Sequence, residues 1–203
     1  ELEKYQHIQK IFQYAVNAGN IDLQIYGKEN IPAENGYMLY GNHQGLFDVV
    51  ALVVSFPGPL ACVFKNELRN VPLLKQIIAC TKSFPMDRED VRQSLTVIQA
   101  VTQEVKNGRN YLIFPEGTRS KKGNEMLDFH HGSFKCALKT KAPIVPVVFV
   151  NSFKVLDEKG CKPVNVQIHY LKPIYEEEYA GMKTNELAEL VKDRIEEVLK
   201  ECR

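Results

Sequence analysis

The chain has 203 residues, 44% of them hydrophobic and 25% charged, which suits one globular domain with a substantial core. A formal net charge of +1 argues against a general polyanion binder, and nucleic acid is not an expected partner. The charge is unevenly spread, with six Lys/Arg against two Asp/Glu between Arg119 and Lys141, and such a stretch in a near-neutral protein suggests a confined anionic ligand or an anionic surface.

At the N-terminus Tyr5, Ile8, Ile11, Phe12, Ala15 and Val16 recur at helical spacing and stop before Gly19-Asn20. Residues 1–20 are therefore expected to form an amphipathic helix, which either packs on the domain or lies in a membrane interface, and 21–203 the main domain. Tyr37–Tyr40 reads as a short buried strand, Gly41-Asn42 as a turn, and Phe47–Phe56 as an apolar helix. That arrangement gives His43 and Asp48 their meaning. On one continuous helix, residues five apart point about 140° away from each other and cannot share a hydrogen bond. With His43 in the turn and Asp48 in the first helical turn they can meet. A His at the mouth of a strand–turn–helix, steered by a carboxylate, is a general-base arrangement.

Val49–Phe64 is the longest uncharged run, but Pro57-Gly58-Pro59 interrupts it and it falls short of the roughly 20 residues that span a bilayer. It divides into the helix above and a strand, Leu60–Phe64, followed by Lys65. A helix over Pro72–Cys80 and a strand over Ser83–Met86 come next, the strand ending in Asp87-Arg88. Asp90 caps a helix that runs to Lys106, where Asn107-Gly108 stops it. The strand Tyr111–Phe114 runs into Pro115-Glu-Gly-Thr-Arg-Ser120. Pro115 ends the ladder, and Gly117 permits an unusual backbone angle. Glu116 and Arg119 then project from a tight turn suited to gripping a phosphate, unless the two simply pair with each other. His130 and His131 fall in the loop before a helix over Ser133–Thr140. Ile144–Val150 is an apolar strand with prolines at its edge, expected to act as a wall. A strand over Val164–Tyr170 and a helix over Asn185–Lys200, capped by Thr184, complete the chain.

The alternation argues for an α/β fold: a single domain with a mixed, largely parallel sheet flanked by helices, preceded by the N-terminal amphipathic helix. In such folds sites gather where strands end. Three strand ends here deliver a basic residue each, Lys65, Arg88 and Arg119, and a fourth delivers His43. Five cysteines without CxxC or His at ligand spacing suggest free thiols in a reducing compartment, and no metal site is expected. Cys62 and Cys136 stand in apolar surroundings as packing residues. The chain begins at Glu1 without an initiator Met, which leaves room for an upstream segment such as a membrane anchor.

Asn42-His43-x4-Asp48, Phe84-x-x-Asp87-Arg88, Phe114-Pro-Glu-Gly-Thr-Arg-Ser120 and Ile144-Val-Pro146 resemble, in order and separation, the four blocks of the glycerolipid acyltransferase superfamily. Within it they look most like the lysophosphatidic acid (1-acylglycerol-3-phosphate) acyltransferase family. Lys65-Asn-Glu-Leu68 is similar to a segment that follows the first block. The chain departs from the pattern at Gly45, where Ser is common, and at Pro85-Met86, where an aliphatic pair is. The resemblance implies that His43 takes the proton of the sn-2 hydroxyl of lysophosphatidic acid as it attacks an acyl thioester, with Asp48 orienting the ring. Glu116, Gly117, Thr118 and Arg119 would bind the phosphate–glycerol end, supported by Lys65 and Arg88. No cofactor is implied beyond the donor substrate, acyl-CoA or acyl-carrier protein. The expected partners are these substrates and a membrane surface, with the enzyme peripheral or monotopic on its cytoplasmic face. Another lysophospholipid or glycerol-3-phosphate is the alternative acceptor, and a non-catalytic binder of anionic lipid the alternative class.

Overall fold

In the computed structural model, which describes residues 2–71, 74–87, 90–158 and 163–202, helix α1 (Leu2–Ala18) leads into an edge strand β1 (Ile21–Tyr26). There follow β2 (Met38–Gly41), α2 (Phe47–Ser55), β3 (Ala61–Lys65), α3 (Leu74–Thr81), β4 (Phe84–Met86), α4 (Val91–Lys106) and β5 (Tyr111–Ile113). The second half contributes α5 (Lys135–Thr140), β6 (Ile144–Val150), α6 (Phe153–Leu156), β7 (Val164–Tyr170), α7 (Glu176–Tyr179) and α8 (Thr184–Glu201).

Among the described residues, seven strands form one sheet in the order β1-β7-β6-β2-β5-β3-β4. Neighbours run parallel throughout, except that β6 and β7 are antiparallel. The mixed, largely parallel α/β sheet expected from the alternation is what forms. β2 and β6 lie in its middle and are buried along their whole length, so they read as unbroken apolar runs rather than as alternating ones.

Successive side chains of a strand point to opposite faces, and the core follows that rule. Met38 and Tyr40 of β2, with Tyr111, Ile113, Ile144 and Val148, face α4, α5 and α8. Leu39, with Leu112, Val145, Val147 and Phe149, faces α2 and the end of α1. The result is three layers, helices on both faces of the sheet. β2, β3, β4, β5 and β6 all end at one edge. The order reverses at β2, since the crossover through α2 leads to β3 on one side while β6 lies on the other. That is where an α/β sheet leaves a crevice.

Most expected elements stand within one or two residues of where they form. Asp90 caps α4 as expected, its carboxylate accepting from Arg92 N and Gln93 N. Four expectations need correction. β1 went unread; Leu23 and Ile25 alternate with Asp22 and Gln24, the pattern of an edge strand, and its partner is β7. Thr184 is the first residue of α8 rather than its cap; Lys183 takes that place, its N–H donating to the Glu186 carboxylate at 2.6 Å. The apolar stripe of α1 is only half used: Tyr5, Phe12 and Val16 are buried, while Ile11 and Ala15 face outward. β6 is a central strand, with Pro146 in register opposite Tyr40, and its end carries chemistry.

Helix α1 packs on α2, where Tyr5 and Phe12 cluster with Val53. Gln9 Nε2 lies within 3.0–3.2 Å of the carbonyls of Val53, Val54 and Phe56 at the C-terminal end of α2, where the Tyr5 hydroxyl also donates to Val53 O at 3.5 Å. Among the described residues no helix is long and apolar enough to cross a membrane. Cys136 is fully buried, and Cys62 packs partly against the core.

Candidate active site

β2 ends at Gly41, and the next residue already fixes the turn. Asn42 Oδ1 accepts from Phe149 N at 2.8 Å and its Nδ2 donates to Phe149 O at 2.9 Å. A side chain thereby continues the β2–β6 ladder and brings the end of β6 to the turn. Both backbone groups of His43 are held by the chain after β5: its N–H donates to Glu116 Oε1 at 2.7 Å, and its carbonyl accepts from Ser120 N at 2.9 Å.

The His43 ring lies stacked on Phe114, with centroids 4.1 Å apart and planes 16° from parallel. Its Nδ1 is 2.7 Å from Asp48 Oδ2. Asp48 is fully buried, in the first turn of α2, where the unpaired N–H groups of a helix favour an anion. Its Oδ2 also accepts from Gln44 N at 2.7 Å and Gly45 N at 3.1 Å, and its Oδ1 accepts from the Ser152 hydroxyl. Four donors around one carboxylate hold it immobile. With Asp48 accepting at Nδ1, the proton of the neutral imidazole sits there and Nε2 is left as the basic nitrogen. The imidazole keeps 19% of its side-chain surface exposed, so it is reachable from the crevice.

Behind Asp48 the support continues. Gln44 Oε1 accepts from Ser152 N at 3.1 Å while its Nε2 donates to Asn124 Oδ1 at 2.7 Å. Asn124 is bonded in turn to Asn151, whose N–H reaches it at 2.9 Å. Gln44, Asn124 and Ser152 are not singled out by the sequence, and Asn42 is there only as a turn residue and the first residue of the His43 block. Ser152 does follow the strand end at Val150 closely, but nothing local ties it to Asp48.

Glu116 and Arg119 do not pair with each other. Glu116 turns inward, buried, and gives its second oxygen to Leu127 N at 2.8 Å. Burial pushes its carboxyl above the usual 4.5, against the two amide donors that pull it down. Gly117, with φ of 76°, closes a tight turn by donating its N–H to Phe114 O at 3.1 Å. Thr118 is exposed. Arg119 stands at the rim, its guanidinium 2.8 Å from Asp157 Oδ1 just after α6, with side chains 33% and 32% exposed. Lys65, at the end of β3, is exposed and paired with Glu67 at 2.9 Å. Arg88 lies outside the described residues. The structure thus brings His43, Asp48 and Glu116 into one network and sets Arg119 at its edge.

Next to the network a cavity of about 280 Å³ opens between α4, β4, β5 and the start of α5. Val63, Met86, Leu95, Ile98, Ile113 and Phe114 line it, with His130 and Ser133. Phe114 belongs to both, one ring serving the cavity wall and the His43 stack. A larger hollow of about 690 Å³, bounded by Lys28, Tyr37, Phe56 and Arg109, lies at the opposite edge of the sheet.

Residues 22–150 match the model of the protein family described as Acyltransferase, well over half of the chain. The chain belongs to this acyltransferase family. Among curated relatives, the 1-acyl-sn-glycerol-3-phosphate acyltransferase of Saccharomyces cerevisiae is 33% identical over 189 residues, covering 89% of this chain and 61% of the yeast protein. That of Salmonella typhimurium is 30% identical, covering 88% of this chain and 76% of its own length. That of Bacillus subtilis is 27% identical, covering 93% and 96%. The chain spans about half to three-fifths of the length of several curated relatives it matches. The crystal structure of the 1-acyl-sn-glycerophosphate (LPA) acyltransferase from Thermotoga maritima superposes with a TM-score of 0.79 at 24% identity, covering 97% of this chain and 79% of that one. That likeness establishes the acyltransferase fold. The family match ends at Val150, two residues short of Ser152.

Proposed function

We propose that this acyltransferase moves a fatty acyl group from a thioester, acyl-CoA or acyl-carrier protein, to the sn-2 hydroxyl of 1-acyl-sn-glycerol-3-phosphate, making phosphatidic acid for phospholipid synthesis. The observation that carries the reading is His43, held at Nδ1 by a buried, four-donor carboxylate and left with Nε2 as its basic nitrogen. The names of the curated relatives point to the same acceptor.

In this reading His43 Nε2 accepts the hydroxyl proton as the oxygen attacks the thioester carbonyl. Asp48 keeps the ring in the tautomer that can do so and stabilises the imidazolium. The new C–O bond forms, the C–S bond breaks, and the proton passes from His43 to the departing thiolate. No protein nucleophile is required, because the acceptor supplies its own. Arg119, with Gly117 and Thr118 beside it, meets the acceptor's phosphate at the rim, as a guanidinium fork is suited to do. Glu116 acts by anchoring the His43 backbone rather than by touching substrate, and Arg88 and the exposed Lys65 are auxiliary cations for the same anionic end. The apolar cavity behind Phe114 suits a hydrocarbon chain.

Both acceptor and product are lipids, so the protein works against a membrane surface, peripheral or monotopic and on the cytoplasmic side. Leu46 in the His43 turn (43%) and Leu156 on α6 (57%) are exposed apolar side chains, which supports that reading. The deciding experiment follows a labelled acyl group from each donor to lysophosphatidic acid and to a panel of other acceptors. His43→Ala should cut transfer by about 10²–10⁴ without unfolding the protein; turnover near wild type in that variant would remove the mechanism.

A further inference from the structure

Arg119 is the cation expected to meet the acceptor's phosphate, yet a carboxylate of the same chain already sits on it. Asp157 Oδ1 takes a guanidinium N–H at 2.8 Å. Asp157 follows α6, and its N–H donates back to Phe153 O at 3.0 Å, so the residue is held at the last turn of that short helix. Its other oxygen leans over the catalytic turn. A Cβ built on Gly45 would stand 2.7 Å from Asp157 Oδ2 and 3.0 Å from Phe153 Cα. Gly45 is also the residue whose N–H binds Asp48. One short stretch of chain therefore touches the acid behind the catalytic base, and the missing side chain makes room for the acid on the phosphate-binding arginine.

We propose that the Asp157 carboxylate is an internal stand-in for the acceptor's phosphate: it occupies Arg119 until a phosphate displaces it, and Gly45 is the residue that lets it reach. The inference rests on the acyl-transfer reading given above. A carboxylate and a phosphate present the same chemistry to a guanidinium, oxygens that accept in its plane, but the phosphate brings more charge and more oxygens. Displacement is feasible because the pair is a third exposed, in the range where ion pairs hold only weakly. The acceptor thus binds with its intrinsic affinity reduced by the fraction of molecules in which Arg119 is already taken. An acceptor without phosphate offers nothing to exchange for Asp157, which makes the exchange a device for selecting a phosphorylated acceptor.

The test uses the whole chain and compares Asp157→Asn, Gly45→Ala and the double variant. Each is assayed for the KM of lysophosphatidic acid, the KM of the acyl donor, and inhibition by glycerol 3-phosphate as a free headgroup. Asp157→Asn should lower the acceptor KM and the inhibition constant by the same factor, roughly two- to fivefold for a pair of this exposure, leaving the donor KM in place. Gly45→Ala pushes on the flexible end of Asp157, and more lightly on the Phe153 backbone, and should likewise lower the acceptor KM. Adding it to Asp157→Asn should bring no further gain. An unchanged or raised acceptor KM in Asp157→Asn, with wild-type transfer intact, overturns the stand-in while leaving the acyl-transfer reading standing. Separate, additive effects of the two substitutions also overturn it. Should the wild-type protein fail to acylate lysophosphatidic acid at all, the acyl-transfer reading falls first.

Discussion

Two polar clusters meet at the carboxyl edge of the sheet, and their construction differs. Around Asp48 the groups are buried, each oxygen has its donors, and the donors come from the turn itself and from the end of β6. Around Arg119, among the described residues, one ion pair joins two side chains that are each about a third exposed. Buried, saturated networks resist movement, whereas exposed pairs exchange partners at little cost. The contrast suits the two proposed roles. A base must be in position before the acceptor arrives, and the group that receives a phosphate must be free to change partners.

Breaking the rigid side should cost most. His43→Ala is expected to reduce kcat by about 10²–10⁴, the usual worth of a general base, with the acceptor KM little changed. Arg119→Ala should instead act on binding, raising the acceptor KM by roughly 10- to 100-fold, as loss of a charge-assisted bond implies. If kcat collapsed there as it does without His43, the division between the two clusters would be wrong. Ser152→Ala sharpens the boundary of the rigid cluster. It leaves one oxygen of a buried carboxylate short of a donor, and kcat should fall about tenfold at unchanged acceptor KM; a thermal shift with full activity would make Ser152 a purely structural residue. The smallest effect concerns pH. Burial raises the Glu116 carboxyl above 4.5, so the folded protein holds that proton more tightly than the unfolded chain. Its contribution to stability is complete below the unfolded value and is lost as pH rises through the folded one. Thermal unfolding followed upward from pH 4.5 should show that decline in the wild type and a flatter course in Glu116→Gln.

The readable parts of this molecule were those in which local pattern and tertiary outcome coincide. The strands around His43 and Arg119 are apolar runs ended by Gly or Pro. The five-residue spacing of His43 and Asp48 admits few geometries, and the strand–turn–helix is one that closes the pair. Direction was harder to read than position. Glu116 and Arg119, three residues apart, look alike in the chain as charged residues of one turn, yet one points into the core and the other out. Only the placement of the His43 and Leu127 amides decides that. Ser152 stayed hidden because its partner Asp48 is 104 positions away and the strand between Ile144 and Val150 shows only packing residues. On α1 the apolar stripe was visible, but which half of it is buried depends on where α2 lies. Gly45 stands out as a departure from the family pattern, and the neighbours that crowd it, Asp157 and Phe153, are ones no local reading supplies.

The bond from Ser152 to Asp48 also bears on how the protein comes into being. A chain leaving the ribosome presents His43 and Asp48 early, but the donor that completes the carboxylate, and the strand that covers the far side of β2, arrive more than a hundred residues later. Until then the nascent segment exposes an apolar strand edge beside an acid that is only partly satisfied. Contacts so distant in sequence form slowly. Chaperone demand should therefore peak while β6 is still inside the exit tunnel, and truncation just after Val150 would leave a product with every recognisable family block and no settled catalytic turn.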